Sequence, residues 1–160
     1  MADIIVDGKI LVYWLPAVAN LAAPTVAELN AGIKLSRILT KDGLPGWEPD
    51  TARVETTPLD GKFNTNKVGR SSFGDPMFRF KKQTGVDTIY NTLVKEAEGI
   101  VAIRRDIDRD VAWAAGQPVE MYPAQCGETK RLAIEENTVS RYEVPITITD
   151  EPELRATVAA

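Results

Sequence analysis

Apolar residues recur along this chain mostly at strand spacing. Lys9–Leu15 is a β-branched and aromatic run closed by Pro16, which predicts a buried strand. Met77–Lys82 alternates, with Phe78 and Phe80 on one face and Arg79 and Lys81 on the other. Ile100–Ile107 puts Val101, Ile103 and Ile107 on one side, and Val119–Cys126 reads as a further strand. In Val139–Thr149, Tyr142, Val144, Ile146 and Ile148 alternate with polar residues. Pro145 falls on the polar side there and predicts an edge or a bulge. Helical signals are fewer. Thr25 caps a short helix over Thr25–Ala31, with Glu28 placed to reach back to the Thr25 N–H, and Gly32 supplies a left-handed stop. Ile33–Thr40 alternates in part and ends at the turn pair Asp42-Gly43. Asp87 opens a second, longer helix whose Val86, Ile89, Tyr90, Leu93, Val94 and Ala97 form one apolar face, stopped by Gly99.

Leu44–Asp75 breaks the pattern. It carries three prolines and four glycines, with a polar strand-like piece near Arg53–Thr57. Long connections of this kind are usually functional, and this one reads as an excursion, partly β-hairpin. The element order predicts a mainly β (α+β) fold, a β-sandwich or open barrel with one flanking α-helix and a long early loop. Residues 1–160 form a single domain, and residues 150–160 form an acidic C-terminal tail, mobile in an isolated subunit.

Composition excludes more than it proposes. The 160 residues are long enough to bury roughly two-thirds of the unfolded surface without a staple. A net charge of −4 gives no basic footprint for gripping nucleic acid. There is no histidine, so the commonest general base and zinc ligand are missing, and Ser71 and Ser72 cannot belong to a Ser-His-Asp set. A Ser-Lys pair with Lys81 or Lys82 has nothing in the sequence to support it. The single cysteine, Cys126, forbids an intrachain disulfide and reads as a small buried hydrophobe. Ile10–Ala27 is uncharged, but Pro16, Asn20 and Pro24 interrupt it, so no membrane span is expected. No cofactor is expected either.

Asp106, Asp108 and Asp110 open like a calcium loop, but Val111 stands where glycine is needed and Gln117 where glutamate is needed. Strand alternation would put the three carboxylates on one face beside Arg104, Arg105 and Arg109. That favours a solvated charged strand end or a subunit contact over a metal site. Gly69–Gly74 lacks the lysine of a phosphate loop. Trp14 reads as core. Trp47, in a Pro/Gly loop, is the better candidate for touching a neighbour.

Charge is segregated. Lys62, Lys67, Arg70, Arg79, Lys81 and Lys82 outnumber Asp60 and Asp75 in one stretch, and Glu135, Glu136, Glu143, Asp150, Glu151 and Glu153 outnumber Arg141 and Arg155 in another. The two could meet between copies, head to tail, or within one chain. Candidate subunit contacts are Trp47, Lys62, Lys67, Arg70, Phe73, Glu151 and Glu153. Further candidate contact charges are Arg104, Asp106, Asp108 and Asp110.

Ala23–Gly43 (APTVAELNAGIKLSRILTKDG) and Ala112–Glu128 (AWAAGQPVEMYPAQCGE) resemble the major tail tube proteins of tailed bacteriophages, especially those of actinobacteria. The resemblance implies a non-enzymatic virion subunit that forms hexameric rings stacked into a hollow tail tube. Strands of neighbouring copies would join edge to edge, and Leu44–Asp75 would bridge subunits and rings. Implied partners are further copies, a tape-measure protein, tail terminator and tip proteins, and viral DNA that passes an often acidic lumen without specific binding, with Arg104, Asp106, Asp108 and Asp110 as candidate lumen or contact charges. The implied location is the virion tail, after synthesis in the host bacterial cytoplasm. The inner tube of a contractile tail or injection machine is the nearest alternative, with a tail terminator or decoration subunit behind it. A small Asp-dependent metalloenzyme on Asp106, Asp108 and Asp110 is the alternative of another class.

Overall fold

The computed structural model describes residues 1–160. Strand β1 (Ile10–Leu15) runs antiparallel to β6 (Glu98–Arg105) along its whole length, Ile10 opposite Arg105 and Leu15 opposite Ile100. β6 pairs in turn with β7 (Pro118–Cys126). The far side of β7 is shared. Its first half carries β10 (Glu153–Thr157), and its second half carries β9 (Arg141–Ile148). β9 continues to β5 (Met77–Lys81), and the two-residue β8 (Lys130–Arg131) also lies against β9. β2 (Ile33–Lys34) covers the outer side of β1.

This curled sheet closes on itself. The Leu35 N–H donates to Val12 O at 2.8 Å, which keeps the chain after β2 on β1. A few residues on, the Thr40 N–H donates to Arg79 O at 3.0 Å, the Lys81 N–H to Ile38 O at 2.8 Å and the Arg79 N–H to Gly43 O at 3.1 Å. Residues 33–45 therefore join the β1 border to the β5 border. The expected mainly β fold is present, as a closed barrel. The expectation of sheet borders left open for sister strands is corrected, because short irregular backbone satisfies both within one molecule.

β1 and β6 are buried on both faces, which is why they read as continuous apolar runs. Val12, Trp14, Val101 and Ile103 point into the barrel with Phe78, Phe80, Tyr122, Tyr142 and Val144. Leu11, Leu15 and Ala102 point outward into a second cluster with Leu29, Trp113, Met121, Ala156 and Val158. Helix α1 (Val26–Asn30) supplies Leu29 to that outer cluster. Its capping box is present: the Thr25 N–H donates to Glu28 Oε2 at 2.8 Å and the Glu28 N–H to Thr25 Oγ1 at 3.2 Å. Gly32 does not stop the helix by a left-handed turn, since the cap, Ala31, is right-handed. Glycine is needed because a Cβ there would collide with the Leu15 side chain and with Trp14 O.

The second helix is shorter than its periodicity predicts. α2 spans only Thr88–Thr92. Ile89 and Leu93 are buried, but Val86 and Val94 are exposed, Glu96 takes a left-handed φ of 69° and Gly99 lies inside β6. A Cβ on Gly99 would lie 2.5 Å from Trp14 Cζ2, so this glycine serves close strand packing, not helix termination. Pro145 lies in a strand flanked on both sides. It sits where β7 gives way to β8, and its carbonyl accepts from the Gly127 N–H at 2.8 Å, so the missing donor falls in a gap of the ladder. The C-terminal residues are not a loose tail: β10 is bonded to β7, and Ala156 and Val158 are buried. No helix is long and apolar enough to cross a membrane.

Candidate assembly surfaces

Leu44–Asp75 folds into an arm. Its strands β3 (Pro49–Glu55) and β4 (Asn66–Phe73) pair only with each other, as a two-stranded sheet outside the barrel. Every residue of β3 is exposed. Polar cross-strand contacts hold the ribbon, including Thr56 Oγ1 to Thr65 Oγ1 at 3.0 Å and Thr51 Oγ1 to Ser71 Oγ at 3.3 Å. Leu59, Phe63 and Val68 stand in solvent, Phe63 at 80% exposure and Val68 at 82%. Two-stranded ribbons are marginal alone in water. This one is held at its root.

The root corrects the expectation for Trp47. Its indole is 3% exposed, stacks on Phe78 at 5.1 Å, meets the Tyr122 ring edge-on at 5.0 Å and donates from Nε1 to Met77 O at 3.0 Å. A ring so enclosed has no face left for a neighbour. Its place in a Pro/Gly loop hides that role, because the loop folds back onto β5, where the Met77 N–H donates to Pro45 O at 3.2 Å. Gly46 makes the fold-back possible, with φ at +79° and no room for a side chain against the Asp75 backbone. Phe73, half-buried, anchors the returning strand edge-on to Tyr122 at 5.6 Å.

Beside the root lies an open cleft of about 980 Å³. Arg70, Phe73, Ile146, Ile148, Glu151 and Leu154 are among its walls, with Asp75 and Asp150. The structure thus brings Arg70, Phe73 and Glu151 together, with Glu153 nearby at the start of β10. Lys62 and Lys67 stand apart on the exposed arm. Part of the charge segregation is resolved inside the chain. Arg79 pairs with Glu143 at 3.1 Å and with Asp42 at 3.0 Å, Lys82 with Asp87 at 3.3 Å, and Arg141 with Glu135 at 3.5 Å. Arg79 is held charged chiefly by its Glu143 hydrogen bond, which raises its pKa further. Asp150, Glu151 and Glu153 make no ion pair.

Residues 106–117 also depart from expectation. β6 ends at Arg105, and Asp106 turns the chain with a left-handed φ of 66°, so no alternation aligns the three aspartates. The Asp108 side chain instead accepts from the Asp110 N–H at 2.9 Å, and no cluster of acidic or cysteine side chains is arranged to hold a metal. Arg104 is not a lumen charge. It is fully buried and binds the loop from beneath: Nη2 donates to Asp108 O at 2.9 Å and Val111 O at 2.8 Å, Nη1 to Gln117 Oε1 at 3.0 Å, and the guanidinium lies 4.9 Å from the Trp113 ring. Arg105 is neutralised by Glu120 at 3.0 Å.

One feature escapes sequence reasoning. Lys34, Ser36, Arg37 and Arg109 line a notch of about 430 Å³ beside β1. The partial alternation of Ile33–Thr40 predicts one strand through the first three, but β2 stops at Lys34. A Lys-x-x-Arg spacing inside a segment with weak alternation is the available signal.

The sequence of residues 1–160 matches, over its whole length, the family described as Phage tail tube protein. This chain belongs to the phage tail tube proteins. The family places it in the virion tail, as a structural subunit. No curated protein matches its sequence. Three solved structures share its fold. A chain in the extracellular contractile injection system PVC, from its sheath/tube terminator in the extended state, has a TM-score of 0.65 at 11% identity, covering 98% of this tail tube protein and 99% of that chain. A chain of the six-fold symmetrised anti-feeding prophage baseplate gives 0.62 at 10% identity, covering 98% of both. One from the PVC sheath–tube complex gives 0.60 at 10% identity, covering 93% of this chain and 89% of that one.

Proposed function

We propose that this protein is the repeating subunit of a phage tail tube, assembling as hexameric rings that stack around a channel for DNA. The observation that carries the reading is a closed barrel bearing an exposed, coreless arm in a member of the tail tube family. A ribbon with Leu59, Phe63 and Val68 in solvent gains its stability from a surface that covers it, and a second copy supplies one. Lys62 and Lys67 then lie at the rim of that contact, and Arg70, Phe73, Glu151 and Glu153 near the arm's root. The subunit performs no covalent chemistry. Its further partners are the tape-measure protein inside the tube, the terminator and tip proteins at its ends, and DNA that slides through without specific binding. Synthesis is in the host cytoplasm. Asp106, Asp108 and Asp110 contribute as exposed contact charges. A fold shared with chains of a contractile injection system's sheath–tube complex and sheath/tube terminator fits use as an inner tube as well, which a sheath around the assembled particle would reveal.

The test is electron microscopy of the purified protein beside a variant whose residues 50–72 are replaced by a short Gly/Ser turn. Full-length protein should form rings or tubes at high concentration. The armless variant should keep its near-ultraviolet dichroism and remain monomeric. A persistently monomeric full-length chain, or an armless variant that polymerises equally well, would overturn the reading.

A further inference from the structure

We propose that the notch of Lys34, Ser36, Arg37 and Arg109 receives the Asp150–Glu151 turn of a second copy of this chain. The inference rests on the tail tube reading and names the lateral contact within a ring.

Three observations meet here. The first is unmatched charge. Lys34 and Arg37 have no acidic partner within 4 Å, and the notch holds a single carboxylate, Asp110, which lies 4.0 Å from Arg109. On the other side Asp150 and Glu151 are exposed and unpaired, with Arg70 the one cation in their cleft. The second is a buried hydroxyl. Ser36 Oγ is shielded from solvent and has no hydrogen-bond partner in the chain, although it lies among three cations. A carboxylate seated between the cations would take charge-assisted hydrogen bonds from them, and rotation of the Ser36 side chain toward the notch would let its unpaired hydroxyl join. The third is placement. Around the barrel the order is β2, β1, β6, β7, β9, β5, then residues 38–45 back to β2. The notch lies at β1 and β2 and the acidic turn at the junction of β9 and β10, so two strands separate them on one side. On the other, β5 and the closing segment intervene. Patches on opposite flanks cannot satisfy each other within one molecule. Between copies they form a heterologous contact that repeats in one sense, which builds a ring where the rotation closes, as the tail tube reading requires.

Both partners are shaped beforehand. The Glu151 N–H donates to Asp150 Oδ1 at 2.8 Å, and Pro152 fixes the chain just beyond. Arg109 is set by its own N–H, which donates to Gly8 O at 2.8 Å. The backbone on both sides is thus set before docking, and the exposed side chains of Lys34, Arg37 and Arg109 are what remains to be ordered.

Charge reversal tests the pairing. Lys34→Glu with Arg37→Glu makes one variant, and Asp150→Lys with Glu151→Lys makes the other. All four side chains are exposed, and circular dichroism and thermal melting report that each variant folds. Sedimentation velocity and negative-stain images then follow assembly. Each variant alone should need at least about tenfold more protein than wild type to form rings, since like charges now face each other. An equimolar mixture should recover assembly, because copies of the two kinds can alternate around an even-numbered ring. Wild-type rings should also weaken by about tenfold between about 0.05 and 0.5 M NaCl as the Debye length shortens. Either variant assembling like wild type, or a mixture no better than its components, would overturn the pairing. Should a reversal unfold, the milder pair Lys34→Gln and Glu151→Gln takes its place, and assembly undiminished in both would equally overturn it. Should wild type itself never assemble, the tail tube reading fails, and not this contact alone.

Discussion

Removing the Arg104 guanidinium should loosen the whole Asp106–Gln117 loop. The charge is fully buried, with no carboxylate within ion-pair distance; Nη1 and Nη2 donate to main-chain and amide oxygens, Asp108 O at 2.9 Å, Val111 O at 2.8 Å, Ala112 O at 3.5 Å and Gln117 Oε1 at 3.0 Å, while Nε has no partner. Burial lowers its pKa, yet an arginine starts so high that it stays charged. Each hydrogen bond to a charged group contributes about 1.5–3 kcal/mol. Asp108 and Val111 are exposed residues whose carbonyls water can reach, and Ala112 O keeps its bond from Gln117 Nε2 at 3.0 Å, so the full sum is not lost. The contact over Trp113 adds about 1–2 kcal/mol. Arg104→Ala should therefore cost about 4 kcal/mol and lower Tm by about 8–16 °C in a chain of this size. Arg104→Met restores volume without donors and should cost about 2 kcal/mol, because the methionine side chain fills the space through which water reaches those carbonyls in the alanine variant and gives them no donor in return. Urea titration followed by tryptophan fluorescence reads both, since Trp113 lies against the side chain. A loss below about 1 kcal/mol for Arg104→Ala, or a methionine variant more stable than wild type, would show that desolvating the charge outweighs its bonds.

Two further outcomes follow from groups in the barrel. Burial pushes the Asp87 carboxyl up, but the N–H groups of Gln83 and Tyr90 and the Lys82 ammonium outweigh it and hold the pKa below the ordinary value. A depressed folded value means the stabilisation is present above the unfolded value of about 4 and lost as pH falls through the folded one. Asp87→Asn should cost about 1 kcal/mol at pH 7 and flatten the acid limb of the stability curve, and an unchanged limb would refute the assignment. Burial also pushes the Cys126 thiol up to about 12. At pH 8 it should react with a disulfide reagent about a thousandfold more slowly than in the urea-unfolded chain, and rapid stoichiometric labelling of native protein would refute that.

The strands are legible because their driving force is local. Phe78 and Phe80, or Tyr142, Val144 and Ile146, alternate in sequence as they do in the sheet. The capping box at Thr25 and Glu28 is equally plain, since both halves lie within one turn. What the sequence hides is set at a distance. The apolar period through Val94 promises helix, but Gly99 has to remain in β6 to let Trp14 pass, and tertiary packing overrides the period. Trp47 looks like a free loop aromatic because its partners, Phe78 and Tyr122, lie far along the chain. Arg104 reads as a surface charge because nothing in Arg-Arg-Asp says which arginine turns inward. Among the candidate surfaces, the arm's existence is readable from its prolines and glycines. The notch is not, since it joins residues on either side of β1 to a loop from much later in the chain.

A barrel that zips its own seam has a kinetic side. The barrel of a newly made subunit offers no long open β border on which a second chain can crystallise, and only the short polar arm leaves strand edges free, so a crowded cell can hold a large reserve of subunits without premature fibres. What remains for docking is a scatter of side-chain contacts and one pliant ribbon, each weak on its own. In the proposed tube, growth would then be slow from a pair and fast on a finished rim, where several contacts close at once, and tubes would lengthen from a template in preference to sprouting wherever two copies collide.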